Sequence, residues 1–254
     1  MKLYGLIGYP LGHSFSKKYF SEKFKREGII NCSYELFPIP SIKDLPSLIS
    51  SNPFLKGFNV TIPYKQQVLE YVTETTGAVK NIGAANTIKI KGDKLIAYNT
   101  DIIGFENSFV KKLKPPDSPD SYREDKKALI LGTGGSAKAI QYCLKKLNID
   151  FLVVTRSHQL ESGIINYSMI GETIMNDYNV IINCTPVGMY PNEDQCPDLP
   201  YQYLTEEHYL YDLVYKPEKT LFLKKGEQKG ATIQNGYEML TIQAEESWKI
   251  WNAD

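Results

Sequence analysis

The sequence predicts two α/β domains around a cleft, the first with a mixed sheet and the second with a doubly wound parallel sheet. In the first half, short apolar runs alternate with helix-like segments, which is typical of an α/β layer. In the second half, a glycine cluster separates an apolar run from a segment with helical spacing of apolar residues. This order indicates a strand, a tight turn and a helix. A stretch rich in proline and charge, from about 112 to 127, indicates an exposed connection near the domain boundary.

The first half contains three apolar runs that predict strands and three segments that predict helices. The strands are expected at 3–8, 34–37 and 57–62, and the helices at 16–28, 41–50 and 64–74. Two further β runs flank Gly92 and Asp93, a pair that suits a type I′ hairpin turn. One antiparallel pair is therefore expected in the first sheet.

Five apolar runs in the second half predict strands, each followed by a turn or a helix. They span 128–131, 151–154, 180–182, 209–214 and about 231–233. Their nearly continuous apolar character favours a parallel sheet that is covered on both faces. A final amphipathic stretch, from about 237 to 251, predicts a helix that would pack back across the cleft. The predicted domains are 1–101 with 237–254, and 102–236.

The composition favours a small-molecule ligand. The chain has 29 basic and 29 acidic residues, so its charge balance indicates neither a nucleic acid nor an acidic membrane as partner. Its four cysteines form no C-x-x-C pair, which argues against a structural zinc site and a disulfide framework. No apolar run approaches the length that spans a bilayer. The expected protein holds no metal and stays in the cytoplasm, as a monomer or a homodimer.

A glycine turn in the second half resembles the dinucleotide-binding fingerprint. It consists of Gly132, Thr133, Gly134, Gly135, Ser136 and Ala137, with alanine at a position that is often glycine. Its glycines permit a tight turn, and they let backbone N–H groups approach a pyrophosphate at the positive end of the following helix. The second domain is therefore predicted to be a Rossmann-type domain. The alternative is an ordinary turn between a strand and a helix.

The end of the next predicted strand indicates which dinucleotide binds. In an NAD-binding domain, an acidic residue about 20 positions after the glycine turn bonds the ribose 2′-hydroxyl. Here Thr155, Arg156 and Ser157 occupy that region, and a guanidinium would attract a 2′-phosphate. We therefore predict NADP rather than NAD. The alternative is that Arg156 is a solvated surface charge.

Four polar clusters lie near the ends of predicted strands in the first half, where ligands bind in open α/β sheets. They are GHSFS at 12–16, NVTIPYK at 59–65, GAANT at 83–87 and NTD at 99–101. Singly, each is compatible with turn or cap chemistry. Together, ahead of a dinucleotide-binding half, they resemble the shikimate dehydrogenase family. The resemblance continues through NCTPVGM at 183–189, YDLVY at 211–215 and NGYEML at 235–240.

The resemblance implies the reversible, NADPH-dependent reduction of 3-dehydroshikimate to shikimate in chorismate and aromatic amino-acid biosynthesis. It implies Lys65 and Asp101 as the catalytic pair. The implied substrate contacts are Ser14, Ser16 and Tyr215 for the carboxylate, with Thr61, Asn86, Asp101 and Gln243 for the ring hydroxyls. The implied cofactor contacts are residues 132–137 for the pyrophosphate, 155–157 for the 2′-phosphate, and Leu213, Gly236 and Met239 for the nicotinamide.

Lys65 is the candidate base for the alcohol proton. Pro63 suggests a helix start, and the positive end of a helix dipole would favour the neutral amine. The alternative is a solvated lysine in a first turn. His13, beside the serines, is interpreted as structural or as lining the substrate.

Three positions depart from the family pattern, and three other functions compete with the implied one. Lys17, Thr155 and Glu238 stand where proline, asparagine and a small residue are frequent, which affects fine specificity more than the reaction class. A quinate/shikimate dehydrogenase with looser substrate and cofactor choice shares the same general features. A non-catalytic NADP-binding sensor would keep the fold alone. A folate-type dehydrogenase fits less well, because paired serines suit a compact carboxylate.

Overall fold

A computed structural model describes residues 1–12, 15–113, 126–158 and 161–253. The chain divides into two compact units, Met1–Thr100 with Gln243–Asp254, and Asp101–Ile242. Most of the predicted connection at 112–127 lies outside the described residues. In the described ranges, no helix has both the length and the apolar character needed to cross a membrane.

The first unit contains a six-stranded mixed sheet. Its strands are β1 (Lys2–Gly8), β2 (Cys32–Pro38), β3 (Leu55–Val60), β4 (Glu74–Thr75), β5 (Thr87–Lys91) and β6 (Lys94–Tyr98). The strand order is β2-β1-β3-β5-β6-β4. Strand β1 pairs in parallel with β2 and β3, and β5 pairs antiparallel with β3 and β6. The predicted mixed sheet and its antiparallel hairpin are confirmed.

The hairpin turn differs from the predicted type. Gly92 has a φ of 60°, whereas Asp93 is not among the residues with positive φ. A type I′ turn needs positive φ at both central residues, while a type II′ turn needs it only at the first, where glycine is preferred. The type I′ prediction was wrong, because only the glycine adopts positive φ without a Cβ penalty.

The helices of the first unit cover the sheet. They are α1 (Phe15–Arg26), α2 (Leu45–Ser50), α3 (Gly77–Ile82) and the end of the C-terminal helix α8 (Tyr237–Asn252). The helix predicted at 64–74 was wrong, since the segment contains a turn and a short 3-10 helix at Gln67–Glu70. Both ends of this segment are fixed to the sheet, because the Thr61 N–H donates to Ile7 and the Thr73 N–H donates to Leu95. Residues at both ends of this segment are therefore hydrogen-bonded to the sheet and are not available to a longer helix.

A tryptophan near its C-terminus helps to anchor helix α8 to the first sheet. The Trp251 ring lies against Gly57 of β3, where an added Cβ would be 2.3 Å from the indole. Its Nε1–H donates to the carbonyl of Ile88 on β5 at 2.9 Å, and its ring stacks on Tyr4 of β1 at 4.9 Å between centroids. An aromatic ring with its polar atom satisfied gives a large, oriented apolar contact. This contact fixes the end of α8 on β1, β3 and β5.

The second unit contains a six-stranded parallel sheet. Its strands are β7 (Ala128–Leu131), β8 (Phe151–Thr155), β9 (Ile164–Asn166), β10 (Val180–Asn183), β11 (Tyr209–Asp212) and β12 (Thr232–Gln234). The order is β12-β11-β10-β7-β8-β9, and every pair is parallel. The first strand lies centrally and the chain winds outward on both sides of it, which is the doubly wound Rossmann order. The predicted sheet is confirmed, although β9 was not predicted.

The remaining helices belong to the second unit. They are α4 (Asp101–Leu113), α5 (Gly135–Lys146), α6 (Glu172–Asp177) and α7 (Leu221–Glu227), followed by the start of α8. In a doubly wound sheet, ligands bind beyond the carboxyl ends of the strands where the winding direction reverses. Here the reversal lies between β7 and β10, directly beside the glycine turn that leads into α5.

Candidate functional site

A pair of buried amides on the predicted substrate side is joined by hydrogen bonds. Asn86 is 3% exposed and Gln243 is 8% exposed. The Asn86 Nδ2 donates to Gln243 Oε1 at 3.1 Å and to Thr100 Oγ1 at 2.9 Å, while its Oδ1 accepts from the Thr100 N–H at 2.7 Å. Because a backbone N–H can only donate, this last bond fixes which end of the Asn86 amide is oxygen. The structure therefore brings together two predicted hydroxyl contacts, one from the loop that leads into β5 and one from α8.

Ser16, a predicted carboxylate contact, lies in the first turn of α1 and is buried. It hydrogen-bonds to the hydroxyl of Tyr34, and burial raises the pKa of that hydroxyl well above its ordinary value. The Tyr34 hydroxyl in turn donates to Asn59 Oδ1 at 2.8 Å. Ser14 and His13 lie outside the described residues.

Thr61 and Lys65 follow β3 directly. Thr61 is held to β1 through its N–H, and Lys65 is half-buried in the turn that follows Pro63. The Lys65 carbonyl accepts from the Ala85 N–H at 2.7 Å, so its backbone is fixed beside Asn86. No α-helix begins at Pro63, so the prediction that a helix dipole acts on the Lys65 amine was wrong.

The glycine turn of the second unit is closely packed. Gly132 has a φ of 107°, and an added Cβ would lie 3.0 Å from Thr185 Cγ2. Gly134 immediately precedes α5, whose first turn contains no acidic residue, and Ala137 is fully buried. The first backbone N–H groups of α5 have no partner within the helix, so this end suits an anion. A small residue suits position 137 because its side chain has no exposed surface.

The loop after β8 carries the predicted 2′-phosphate contacts. Arg156 is exposed at the end of this strand. The Ser157 N–H donates to Thr155 Oγ1 at 3.1 Å, and Asn166 Nδ2 donates to the Ser157 carbonyl at 3.0 Å. The backbone on both sides of Arg156 is therefore ordered, while its guanidinium remains accessible to a ligand.

The other predicted residues also lie in the second unit. Asp101 is the first residue of α4 and is 5% exposed. Leu213 and Tyr215 follow β11, and Gly236 precedes α8, which contains Met239. Gly236 approaches Leu213 so closely that an added Cβ would be 2.2 Å from the Leu213 carbonyl oxygen. Two predicted nicotinamide contacts are thus adjacent.

A buried carboxylate that the sequence analysis did not single out connects two loops of the second unit. Asp212, at the end of β11, is fully buried and accepts from Asn183 Nδ2 at 3.0 Å, the Val214 N–H at 3.0 Å and Thr220 Oγ1 at 2.6 Å. Burial raises the pKa of Asp212 to about 7, although these three hydrogen bonds act to lower it. Asn183 Oδ1 also accepts from the Thr185 N–H at 3.1 Å. The only sequence signal was polar residues ending adjacent apolar runs.

The structure gives each departure from the family pattern a partner. The Lys17 ammonium pairs with Glu35 at 2.6 Å. Thr155 accepts the hydrogen bond from Ser157 described above. Glu238 pairs with Lys111 of α4 and accepts from Gln234. Within the described residues, no group of three or more His, Cys, Asp or Glu could hold a metal ion.

The strand order and the glycine turn define the class of protein as an α/β protein with a Rossmann-type dinucleotide-binding unit. Comparison with known proteins agrees. Residues 6–88 match the family model of the shikimate dehydrogenase substrate binding domain. The chain is 35% identical to the shikimate dehydrogenase (NADP(+)) of Caldicellulosiruptor saccharolyticus and 36% identical to that of Methanococcus maripaludis. Each alignment covers 98% of this chain and 91% of the relative.

Solved structures show the same relationship. The chain superimposes on shikimate 5-dehydrogenase from Thermus thermophilus, solved in complex with NADP(H) and shikimate, with a TM-score of 0.84 at 27% identity. That superposition covers 99% of this chain and 94% of the other. The chain belongs to the shikimate dehydrogenase family.

Proposed function

We propose that this protein catalyses the reversible reduction of 3-dehydroshikimate to shikimate with NADPH. The observation that carries the proposal is similarity along almost the whole chain, at 35% identity over 98% of its length, to a relative named shikimate dehydrogenase (NADP(+)). The similarity therefore includes both the substrate side and the cofactor side. Following the family, we propose that the enzyme serves chorismate biosynthesis in the cytoplasm, as a monomer or a homodimer.

The cofactor proposed is NADP, bound by the second unit. The described residues fit a dinucleotide, because Gly132 keeps the turn tight and the first turn of α5 has no acidic group to repel phosphate. Residues 132–137 would hold the pyrophosphate. Thr155, Arg156 and Ser157 would hold the 2′-phosphate, with the exposed guanidinium as its charged partner. Leu213, Gly236 and Met239 would lie against the nicotinamide.

The substrate contacts proposed lie in both units. Ser14 and Ser16 would bind the carboxylate with Tyr215, and Thr61, Asn86, Asp101 and Gln243 would bind ring hydroxyls. The fixed Asn86 amide supports this assignment. Both its N–H groups are already used on Gln243 and Thr100, so Gln243 accepts at Oε1 and offers its amide nitrogen to a ligand.

Lys65 and Asp101 are proposed as the catalytic residues. When bound, NADP or NADPH would supply the hydride chemistry at the alcohol or carbonyl carbon. The protein must then take the proton from the alcohol oxygen, and the Lys65 amine is proposed as that base. Asp101 is proposed to bond the same hydroxyl and to orient the lysine. In the reductive direction Lys65 returns the proton to the carbonyl oxygen.

The proposal is tested by initial rates of a single panel that crosses shikimate and quinate with NADP and NAD. We expect NADPH formation from shikimate to be the fastest reaction by a wide margin. Comparable rates with quinate or with NAD would instead favour a quinate/shikimate dehydrogenase with relaxed specificity. If no pair produces reduced cofactor while NADP still binds, the protein is a non-catalytic sensor.

A further inference from the structure

A buried hydrogen-bond network in the first unit connects three of the proposed substrate contacts. From Ser16 it passes through Tyr34 to Asn59, which lies on β3. The Asn59 amide nitrogen then donates to Thr87 Oγ1 at 3.1 Å and to Ser247 Oγ at 2.9 Å. Thr100, at 3.3 Å from Ser247, leads on to Asn86 and Gln243.

Ser247 is the point where this network enters α8, and its side chain is fully buried. The Ser247 hydroxyl donates to the carbonyl of Gln243, one turn earlier, at 2.8 Å. A carbonyl can only accept, so this bond uses the one hydroxyl proton. Ser247 Oγ therefore accepts from Asn59, at 2.9 Å, and from the Thr87 hydroxyl, at 2.8 Å.

The direction of the Ser247 hydrogen bonds also determines how Thr87 is bonded. Since Thr87 gives its proton to Ser247, Thr87 Oγ1 is free to accept from Asn59. The backbone carbonyl of Asn86 lies 3.2 Å from the same Asn59 nitrogen, so the two N–H groups of Asn59 are shared among three acceptors. Asn86 is thus held through its backbone by Asn59, and Gln243 is held through its backbone by Ser247. The Thr100 N–H fixes the orientation of the Asn86 amide, which in turn fixes that of Gln243, so Asn59 and Ser247 act by holding the backbone positions of these two residues.

We propose that Ser247, together with Asn59, is a positioning residue for substrate binding. It acts through Asn86 and Gln243 and makes no contact with the substrate. Gln243 Oε1 accepts from Asn86 and Thr100, so the fixed orientation presents the Gln243 amide nitrogen as a donor to a hydroxyl oxygen. This inference rests on the proposed function, because the affected ligand is shikimate.

The test compares Ser247→Ala with a matched control, Ser108→Ala. Ser108 of α4 is also fully buried, also donates to a carbonyl one turn earlier at 2.8 Å, and is hydrogen-bonded to the Tyr211 hydroxyl at 2.7 Å. Both variants lose a buried serine hydroxyl, so both are expected to unfold at lower temperature. Only Ser247→Ala should raise the KM for shikimate, by about tenfold. Its KM for NADP should stay within about twofold of wild type, and its kcat should change little, since ground-state binding is what weakens.

The outcomes separate the inference from the proposed function. A shikimate KM in Ser247→Ala within about twofold of wild type, or an equal rise in Ser108→Ala, overturns the positioning role while leaving the function intact. A wild-type protein that forms no NADPH from shikimate overturns the function, and the inference with it. If the alanine variant does not fold, Ser247→Cys leaves no cavity and replaces the hydroxyl by a somewhat larger thiol that is a weaker donor and acceptor. The same selective rise in shikimate KM is then expected, and its absence counts equally against the proposal.

Discussion

Replacing Gly236 by alanine tests how closely the loop after β11 and the start of α8 must approach. An added Cβ would lie 2.2 Å from the Leu213 carbonyl oxygen and 2.7 Å from its carbonyl carbon. These distances are about 1 Å or more inside the roughly 3.5 Å at which such atoms attract. The obstacle is backbone, so no side-chain rotation relieves it. The two loops must move apart, and the Gly236 N–H bond to the Val214 carbonyl, at 3.3 Å, must lengthen.

The expected cost is at the upper end of that for overpacking, about 3 kcal/mol. In a protein of this size it lowers the Tm by roughly 6–12 °C. Leu213 is a proposed nicotinamide contact, so the KM for NADP should rise by about tenfold or more. Differential scanning calorimetry gives the Tm, and initial rates with varied NADP give the KM.

The control is Gly77→Ala at the first position of α3, where an added Cβ meets no atom within 4 Å. Alanine is the better helix former, so this variant should match or slightly exceed wild-type stability. Equal Tm values for Gly236→Ala and Gly77→Ala would refute the reasoning, because close backbone contact would then carry no cost. A lowered Tm with an unchanged KM for NADP would refute the assignment of this contact to the cofactor side.

Three further changes have defined outcomes. Lys65→Ala should lower kcat by about 10²–10⁴-fold with shikimate binding retained, whereas Lys56→Ala, exposed on β3, should retain kcat; near-normal turnover would remove Lys65 from the mechanism. Arg156→Ala should raise the KM for NADP about tenfold or more and leave that for NAD unchanged, and an equal effect on both would contradict 2′-phosphate binding. Burial raises the pKa of Asp212 from 3.8 to about 7, so folding takes up a proton between these values. The stability from this group is therefore greatest below about pH 4 and is lost as the pH rises through about 7. Asp212→Asn should reduce the loss of unfolding free energy between pH 5 and pH 8 in urea titrations, and an unchanged loss would assign it to other groups.

The sequence predicted the second sheet better than it predicted the helices. Its buried strands are continuous apolar runs, and all five predicted runs became strands. The sequence did not predict β9, because this strand has only three residues and lies at the edge of the sheet. Helix α4 was missed although it buries Phe105, Phe109 and Leu113 at helical spacing. The helix predicted at 64–74 failed because pairing of β4 with β6 is a long-range interaction that local periodicity does not contain.

The candidate site was predictable at the level of residue types at strand ends, and less so at the level of their contacts. Polar clusters after β3, before β5 and after β6 were visible because each interrupts an apolar run. Their hydrogen-bond partners were not, since Asn59 and Ser247 are 188 positions apart. Ser247 in particular looks like an ordinary helical serine until the fold places it beside β3 and β5.

The choice of an acid at 212 follows from the directions of its hydrogen bonds. A neutral asparagine would avoid the cost of burying a charge, which is what raises the pKa of this group. Its nitrogen, however, would face Thr220 Oγ1, and the threonine proton would then lose its acceptor. A carboxylate accepts from Asn183, Val214 and Thr220 at once without presenting a donor of its own. The buried carboxylate thus lowers the stability near neutral pH, but its hydrogen bonds fix the loops after β10 and β11. The second of these loops contains Leu213.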